Sequence, residues 1–189
     1  MRARWPGGPP MADVGVRAAG PDHVAGIARL QLATWRTAYS GILGEHVLAG
    51  LDEDDVSRTW GAAVNDPPSP RHRVLIALDG AAAVGFVAFG PATAEESAPA
   101  SAALISTLLV EPRWGRRGHG SRLLAATVDL LRDDGFAIGL TWLLEPDRVS
   151  NAFFGSAGWE PDGSARTLDI GGRFVTEIRL HASLAEPAP

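Results

Sequence analysis

The pattern of apolar and polar residues divides the first third of the chain into one strand and two helices. Residues 14–19 alternate briefly between apolar and polar and predict a strand. From Asp22 the apolar positions recur near helical spacing, which predicts a helix to about Thr37 with Asp22 as its N-cap. A second, shorter helix is predicted over 52–64, because its acidic start suits a helix N-terminus.

The middle of the chain contains three apolar runs that predict strands. Two of them, at 73–78 and 83–89, flank an Asp-Gly dipeptide, which favours a tight hairpin turn. The third, at 104–110, follows the connection PATAEESAPASA. Because that connection shows no periodicity, we expect it to be mobile or variable.

The last third of the chain begins with an amphipathic helix. This helix starts near Gly118, carries its apolar residues on one face and ends at Gly135. Residues 136–144 are mainly apolar and predict a buried strand. A short helix ending near Gly158 and a final hairpin turning at two adjacent glycines complete the series. This order of elements predicts an α+β, or mixed α/β, domain.

Composition narrows the class of protein. With 189 residues, 46% hydrophobic and 21% charged, the chain fits one domain, placed at 13–184 between flexible tails at 1–12 and 185–189. A net charge of −5 gives no general attraction to nucleic acid. No apolar run approaches the ~20 residues of a membrane-spanning helix. The chain lacks cysteine, and its histidines are scattered without metal-ligand spacing. We therefore expect a cytoplasmic protein with no metal, no nucleic-acid partner and no membrane partner.

Positive charge is concentrated between the strand ending at Val110 and the helix that follows. Three arginines and three glycines lie there: Arg113, Arg116, Arg117, Gly115, Gly118 and Gly120. The first turn of a helix leaves about four N–H donors free and carries partial positive charge, and glycines keep the approach open. This pattern predicts a pyrophosphate site, with a solvated glycine turn as the simpler alternative. Neither a G-K-[ST] sequence nor the G-x-G-x-x-G spacing is present.

Three motifs, in order, resemble those of the GNAT N-acetyltransferase family. The first, LLVEPRWGRRGHGSRLL, resembles its acetyl-CoA-binding motif, in which a strand leads to Q/R-x-x-G-x-G/A and a helix. The others are WRTAYSGIL and LTWLLEPDRVSNAFFGSAGWEPDG. The resemblance covers nearly the whole chain. It implies a GNAT-like acyl-CoA N-acyltransferase fold, with a central, mostly antiparallel sheet flanked by helices and splayed between the strands at about 104–110 and 136–144.

The resemblance also implies an activity and a set of site residues. The activity is direct transfer of an acetyl (acyl) group from acetyl-CoA to an amine of a small molecule or peptide, in a ternary complex. The implied cofactor-binding residues are Leu109, Val110, Gly115, Arg116, Arg117, Gly118, His119, Gly120, Ser121, Asn151 and Phe154. For the His119 side chain we expect a solvent-facing or phosphate-adjacent role. Trp35 and Tyr39 would border the acceptor pocket, core packing being the alternative for Trp35.

Several positions depart from the family's pattern. The first motif residue, usually Gln or Arg, is Gly115 here. Phe154 aligns with the tyrosine that protonates the departing thiolate in many members, and phenylalanine cannot donate a proton. Leu104 aligns with a glutamate that often serves as base. An amine with a pKa near 10 must lose a proton before it attacks. Glu145 is the candidate base, and a solvated helix-capping carboxylate is the alternative. The Asn that opens the third motif aligns with Asp147.

These departures leave a second interpretation open. The chain would then be a non-catalytic acyl-CoA-binding or regulatory module that kept the phosphate loop and lost its proton-transfer residues. A nucleic-acid-interacting protein is disfavoured by the net charge of −5 and the single short basic segment. The oligomeric state also stays open. A homodimer is compatible with the sequence, with the final strand FVTEIRL pairing across subunits.

Overall fold

The computed structural model describes residues 14–185, so the predicted tails lie outside it except for Ala185. The strands of this part form one mixed sheet in the order β1-β2-β3-β4-β5-β7-β6. They are β1 (Val14–Ala18), β2 (Arg73–Asp79), β3 (Ala82–Pro91), β4 (Ala102–Val110), β5 (Ile138–Leu144), β6 (Glu160–Ile170) and β7 (Arg173–Ser183). Only β4 and β5 are parallel neighbours. The predicted mixed fold with a mostly antiparallel sheet is therefore confirmed.

Helices cover both faces of this sheet. They are α1 (Val24–Ala38), α2 (Ser40–Leu43), α3 (Glu45–Ala49), α4 (Glu53–Asn65), α5 (His119–Asp133) and α6 (Arg148–Ser156). The sequence pattern predicted four of them. It missed α2 and α3 because one turn of helix is too short to show a 3.6-residue period.

Two apolar cores lie on opposite faces of the sheet. On the face covered by α1 and α4, which we call the α1 face, Ile27 and Trp60 pack with Ile76 and Phe86. The opposite face, which we call the α5 face, is covered by α5 and α6. Its core is formed by residues that include Leu123, Leu131, Val87, Ile105 and Phe154. A ligand held in the plane of the sheet therefore has one side toward α5 and α6 and the other toward the α1 face.

The parallel strands β4 and β5 pair only over their first halves. Their register runs from Ala102–Ile138 to Ile105–Thr141, and the Thr141 hydroxyl donates to the Ile105 carbonyl at 3.0 Å. Beyond that pair, residues 106–110 have no strand partner on the β5 side within the described part of the chain. The predicted splay is confirmed, and it leaves backbone N–H and C=O groups of β4 exposed along a gap.

The final strand lies inside the sheet and not at its edge. The sequence is compatible with FVTEIRL pairing across subunits, which requires a free edge. In the structure β7 hydrogen-bonds β5 on one side and β6 on the other. The last hairpin folds back so that its second strand inserts next to β5, which leaves β6 at the edge. The expectation that this strand pairs between subunits was therefore wrong.

An ion pair fixes the end of α5 to the sheet. Arg73 of β2 donates to Asp134 through both terminal nitrogens, at 2.6 and 3.0 Å. These hydrogen bonds hold the pKa of Asp134 below its usual range. We expect Asp134→Asn to lower the free energy of unfolding at pH 7 by about 1–2 kcal/mol.

The effect of Asp134→Asn should depend on pH in one direction. A carboxyl group with a depressed folded-state pKa stabilises the protein above its unfolded pKa, and this stability is lost as the pH falls through the folded value. Urea unfolding of both proteins should therefore differ at neutral pH and converge at about pH 2. The matched control is Asp133→Asn on the exposed neighbour. A difference that persists undiminished in acid would contradict this assignment.

Candidate functional site

The loop between β4 and α5 presents free backbone amides at the start of a 15-residue helix. The amides of Trp114 and Gly115 bond back to the carbonyls of Glu111 and Pro112, at 2.8 and 3.0 Å. In contrast, the amides of residues 116–121 donate no backbone hydrogen bond in the described part of the chain. Free amides at a helix N-terminus favour an anion. The loop therefore has the properties that the sequence predicted for a pyrophosphate site.

Two left-handed residues shape this loop. Gly118, the N-cap of α5, has φ +79°, and Arg116 has φ +61°. A side chain at Gly118 would be strained by about 1–2 kcal/mol, so glycine is favoured there for its backbone conformation. The glycine also leaves the amides that follow it uncovered.

The arginines of the loop differ in their partners. Arg113 pairs with Glu111 at 2.6 Å, so its charge is neutralised locally. The guanidinium of Arg117 lies 4.8 Å from the ring centre of Trp114. Arg116 and Arg117 make no salt bridge among residues 14–185. Of the three arginines in the loop itself, these two are therefore available to an anion.

The side chain of His119 points away from solvent. It is 2% exposed, and neither ring nitrogen has a hydrogen-bond partner in the described structure. Its ring lies edge-on to Trp114, and its Nε2 atom is 3.8 Å from Asp79. Burial, and then Arg122, lower the pKa of His119. The expected solvent-facing role was wrong because the first residue of α5 turns its side chain inward, and only its backbone amide faces the loop opening.

Gly120 lies where α5, α6 and the end of β4 meet. A methyl group built at this position would be 3.4 Å from the Phe153 ring and 3.7 Å from the Cγ2 atom of Val110. A Cβ atom at this position would therefore be in ordinary van der Waals contact, whereas a longer side chain would press on the Phe153 ring and the end of β4. A groove of about 400 Å³ lies between α5 and α6, lined by Ser121, Leu124 and Phe153 among others.

Two of the predicted cofactor-binding side chains have structural contacts. Phe154 is 1% exposed and packs edge-on against Phe153 and Trp159, with ring centres 5.3 and 5.2 Å away. The Asn151 side-chain amide donates to the carbonyls of Leu144 and Asp147, at 3.1 and 2.7 Å, and so fastens α6 to the end of β5. Contact of Asn151 or Phe154 with a cofactor stays a prediction. The ring next to Gly120 is that of Phe153.

The two residues predicted to border the acceptor pocket, Trp35 and Tyr39, have different roles in the structure. Trp35 is partly buried and packs on the α1-face core, as the simpler alternative expected. The hydroxyl of Tyr39 donates to Asp147 at 2.9 Å, and Asp147 also accepts from the amides of Val149 and Ser150 at the start of α6. Burial, and then the Asp147 carboxylate, raise the pKa of the Tyr39 phenol. Tyr39 is therefore a fixed hydrogen-bond donor that ties α1 to α6.

A cavity of about 370 Å³ lies at the end of β5, next to α2. Its walls include Ile42, Glu145 and Phe174. Glu145 is exposed, and its backbone N–H donates to the carbonyl of Thr176 at 2.9 Å, which holds this end of β5 against β7. The candidate base predicted from the sequence therefore reaches a cavity of suitable size for a small amine.

A polar cluster that the sequence analysis missed lies on β5 just past its last pair with β4. Glu96, from the β3–β4 connection, is 8% exposed and accepts a hydrogen bond from the indole N–H of Trp142 at 2.5 Å. The guanidinium groups of Arg166 and Arg179 lie 4.3 and 5.5 Å from the centre of the same indole ring. The connection that we expected to be mobile or variable is thus tied to the sheet. Four residues so distant in sequence give no local signal of this cluster.

Residues 14–185 contain neither a candidate metal site nor a helix that could span a membrane. No group of three or more His, Asp or Glu side chains is arranged to hold a metal ion. None of the helices in this range combines the length and apolar composition needed to span a bilayer.

Comparisons with known proteins agree with this geometry. The family model described as Acetyltransferase (GNAT) family matches residues 25–159. The uncharacterized N-acetyltransferase YuaI of Bacillus subtilis (strain 168) is 28% identical over 158 residues, which cover 77% of this chain and 87% of YuaI.

Solved structures show the same fold at low sequence identity. The PaiA N-acetyltransferase from Thermoplasma acidophilum, in complex with coenzyme A, superposes with a TM-score of 0.70 at 15% identity, covering 87% of this chain and 98% of PaiA. The putative acetyltransferase YncA from Salmonella typhimurium, with acetyl-CoA, gives 0.67 at 16% identity, covering 93% of this chain and 96% of YncA. The family match spans most of the described residues. The chain belongs to the acetyltransferase (GNAT) family.

Proposed function

We propose that the protein transfers an acetyl (acyl) group from acetyl-CoA directly to an amine of a small molecule or peptide. One observation carries the proposal: the gap between β4 and β5 opens at the free amides of residues 116–121. The presence of coenzyme A or acetyl-CoA in the PaiA and YncA structures supports this donor. The acceptor would enter the same cleft, giving a ternary complex and no covalent acyl-enzyme.

The groups along the cleft fit acetyl-CoA. An extended pantetheine arm would add to the unpaired edge of β4 at Leu109 and Val110, as a strand adds to a sheet. The amides from Arg116 to Ser121 would hold the pyrophosphate, and Arg116 and Arg117 would add charge. Gly120, which lies next to Val110 and Phe153, would leave room for the ligand between these two regions. Gly115 supplies no charge at the first motif position, so the neighbouring arginines would compensate for it.

The acceptor amine would approach the thioester from the α1 face. A thioester held between β4 and β5 has α5 and α6 on one side, and these helices block that approach. The cavity next to α2 opens beyond the end of β5, at Glu145. We therefore place the acceptor in this cavity, with Tyr39 and Trp35 on the α1 side of it. Glu145, at the rim of this cavity, would attract the ammonium form of the amine into the cleft.

The transfer forms a C–N bond to the acetyl carbon and breaks its C–S bond. The ammonium form of the amine loses one proton before attack, the new amide nitrogen loses another, and the thiolate regains one. Holding both substrates in one cleft supplies much of the rate, since effective molarities can reach about 10⁵ M or more. Backbone donors near the thioester oxygen would add to it. The Phe154 ring cannot protonate the thiolate, so solvent would supply that proton.

The proposed activity can be tested with purified protein and acetyl-CoA. The acceptor panel would contain free L-amino acids, peptides with free N-termini, linear diamines and amino sugars. We expect thiol release that depends on one class of amine, with mass spectrometry showing one added acetyl group on the product. Measurable affinity for acetyl-CoA without thiol release from any amine would contradict the proposed transfer.

A non-catalytic acyl-CoA-binding module is the second candidate, and the phenyl side chain of Phe154 favours it. Phe154→Tyr separates the two functions. If the natural chain is an enzyme, this variant should change kcat by less than about tenfold, because the ring is 1% exposed inside the core and a buried hydroxyl must first find a partner. Thiol release that appears only in Phe154→Tyr would instead show that the natural chain binds and does not transfer.

A further inference from the structure

The transfer needs a proton acceptor on the face from which the amine attacks. A primary amine with a pKa near 10 is almost fully protonated at neutral pH, and the ammonium ion has no lone pair for attack. The neighbouring residues Ala103 and Ile105 of β4 point to the α5-face core, so Leu104 between them points to the α1 face. Leucine cannot accept the proton. The acceptor must therefore come from outside β4.

Trp142 occupies the position on β5 that borders the start of the gap. Leu140 lies opposite Leu104 in the register, and side chains two residues apart on a strand share a face. Trp142 therefore points to the α1 face, one residue beyond the last β4–β5 pair at Thr141. Because a strand advances about 3.3 Å per residue, its indole lies next to the point where the strands separate.

Glu96 is the carboxylate held at this indole. Its Oε2 atom accepts the Trp142 N–H, and its own backbone carbonyl accepts a hydrogen bond from Arg179. These contacts fix the 3₁₀ turn of the β3–β4 connection over the α1 face. Glu145, the base expected from the sequence, lies three residues beyond Trp142 at the rim of the cavity and is exposed. Glu96 is the more enclosed of the two carboxylates and the nearer along β5 to the start of the gap.

The one cation within 4.0 Å of the Glu96 carboxylate, Arg166, is shared with a second carboxylate. Arg179 pairs with Asp162, and Arg166 pairs with Glu177, each at 2.6 Å. The nearest cation to Glu96 is Arg166, at 4.0 Å from Oε1. The titratable groups of this cluster are Glu96, Asp162, Arg166, Glu177 and Arg179. Three carboxylates and two guanidinium groups leave the cluster with a net charge of one negative unit. A buried charge of this kind is unfavourable unless a cation joins it.

We propose that Glu96 binds the ammonium group of the acceptor and accepts its proton before attack, directly or through one water molecule. The inference rests on the proposed transfer activity. One N–H bond of the ammonium breaks, the proton goes to a Glu96 carboxylate oxygen, and the freed lone pair forms the C–N bond as the C–S bond breaks. Oε1 has the lone pairs for this role, since Trp142 occupies only Oε2. After transfer, Glu96 returns the proton to solvent.

The test is Glu96→Gln, assayed with acetyl-CoA and the amine of the panel that gives the fastest thiol release. Glutamine keeps an oxygen that accepts the Trp142 N–H, so a merely structural role would be preserved. We expect kcat/KM at neutral pH to fall about 100-fold, since general bases contribute about 10²–10⁴-fold. The loss should shrink as the pH approaches the amine's own pKa, because the free amine no longer needs a base. Glu95→Gln, on the exposed neighbour, is the matched control and should leave the profile unchanged.

Further outcomes separate this inference from the activity on which it rests. Glu96→Asp keeps a carboxylate and should restore part of the rate with the pH profile of the natural protein, which also covers the case that Glu96→Gln does not fold. Acetyl-CoA affinity should be unchanged in both variants. Thiol release by the natural chain together with an unaltered pH profile in Glu96→Gln, or in Glu96→Ala if glutamine does not fold, would overturn the role of Glu96 alone. If none of the amines in the panel causes the natural chain to release thiol, the proposed activity and this role are overturned together.

Discussion

Gly120→Leu is expected to lower the affinity of the protein for coenzyme A by about 100-fold or more, equivalent to about 2.7 kcal/mol. The Cβ atom alone would lie 3.4 Å from the Phe153 ring and 3.7 Å from Val110. The rest of a leucine side chain must then displace the Phe153 ring or extend toward the end of β4, into the region that the ligand would occupy. Since leucine favours helix more than glycine does, the first turn of α5 should still form. Titration calorimetry with coenzyme A measures the loss directly.

The control for Gly120→Leu is Gly155→Leu in α6, where a Cβ atom would meet nothing within 4 Å. Its affinity for coenzyme A should match that of the natural chain. Arg116→Ala and Arg117→Ala should each cost less, about three- to tenfold, because each removes one exposed charge and leaves the backbone amides in place. If either arginine variant loses more affinity than Gly120→Leu, side-chain charge and not the open backbone dominates the loop.

The parts of the fold that the sequence predicted are those with a local signal. The amphipathic pattern of α5 and its terminal glycine placed that helix close to its observed bounds. The loop before it was recognised from adjacent glycines and arginines, and the splay from a motif resemblance. Each of these signals lies within a short stretch of chain, so one sequence is enough to see it.

The features that the sequence did not predict depend on tertiary contacts. Glu96 belongs to a polar connection with no period, and its partners on β5, β6 and β7 join it only when the sheet forms. The sequence could not show which of the adjacent residues Phe153 and Phe154 packs in the core and which lies next to Gly120, because that depends on how α6 is rotated against α5. His119 lies between two glycines that suggest exposure, yet its side chain fills a space under the loop. The cofactor loop could therefore be predicted from the sequence, whereas the polar side chains of the candidate site could be identified only from the structure.

Asp147→Ala is expected to lower the free energy of unfolding by about 3 kcal/mol. One part, about 1 kcal/mol, comes from the lost N-cap of α6, where Asp147 accepts from the amides of Val149 and Ser150. The remainder, about 1–3 kcal/mol, comes from leaving the Tyr39 hydroxyl without its acceptor in a half-buried position. Guanidinium unfolding at neutral pH checks this sum. Asp147→Asn keeps an oxygen that can accept the cap bonds, so its loss should stay near 1 kcal/mol.

A double-mutant cycle separates the two contributions to the Asp147→Ala loss. In a Tyr39→Phe background the hydroxyl is already absent, so Asp147→Ala should cost about 1–2 kcal/mol less than in the natural chain. Additive losses would mean that the Tyr39–Asp147 hydrogen bond contributes nothing to stability. Because this bond joins α1 to the start of α6 beside the acceptor cavity, turnover should report it as well. Tyr39→Phe should raise KM for the amine while leaving coenzyme A affinity unchanged, since neither Tyr39 nor Asp147 hydrogen-bonds to the β4–α5 loop in the described part of the chain.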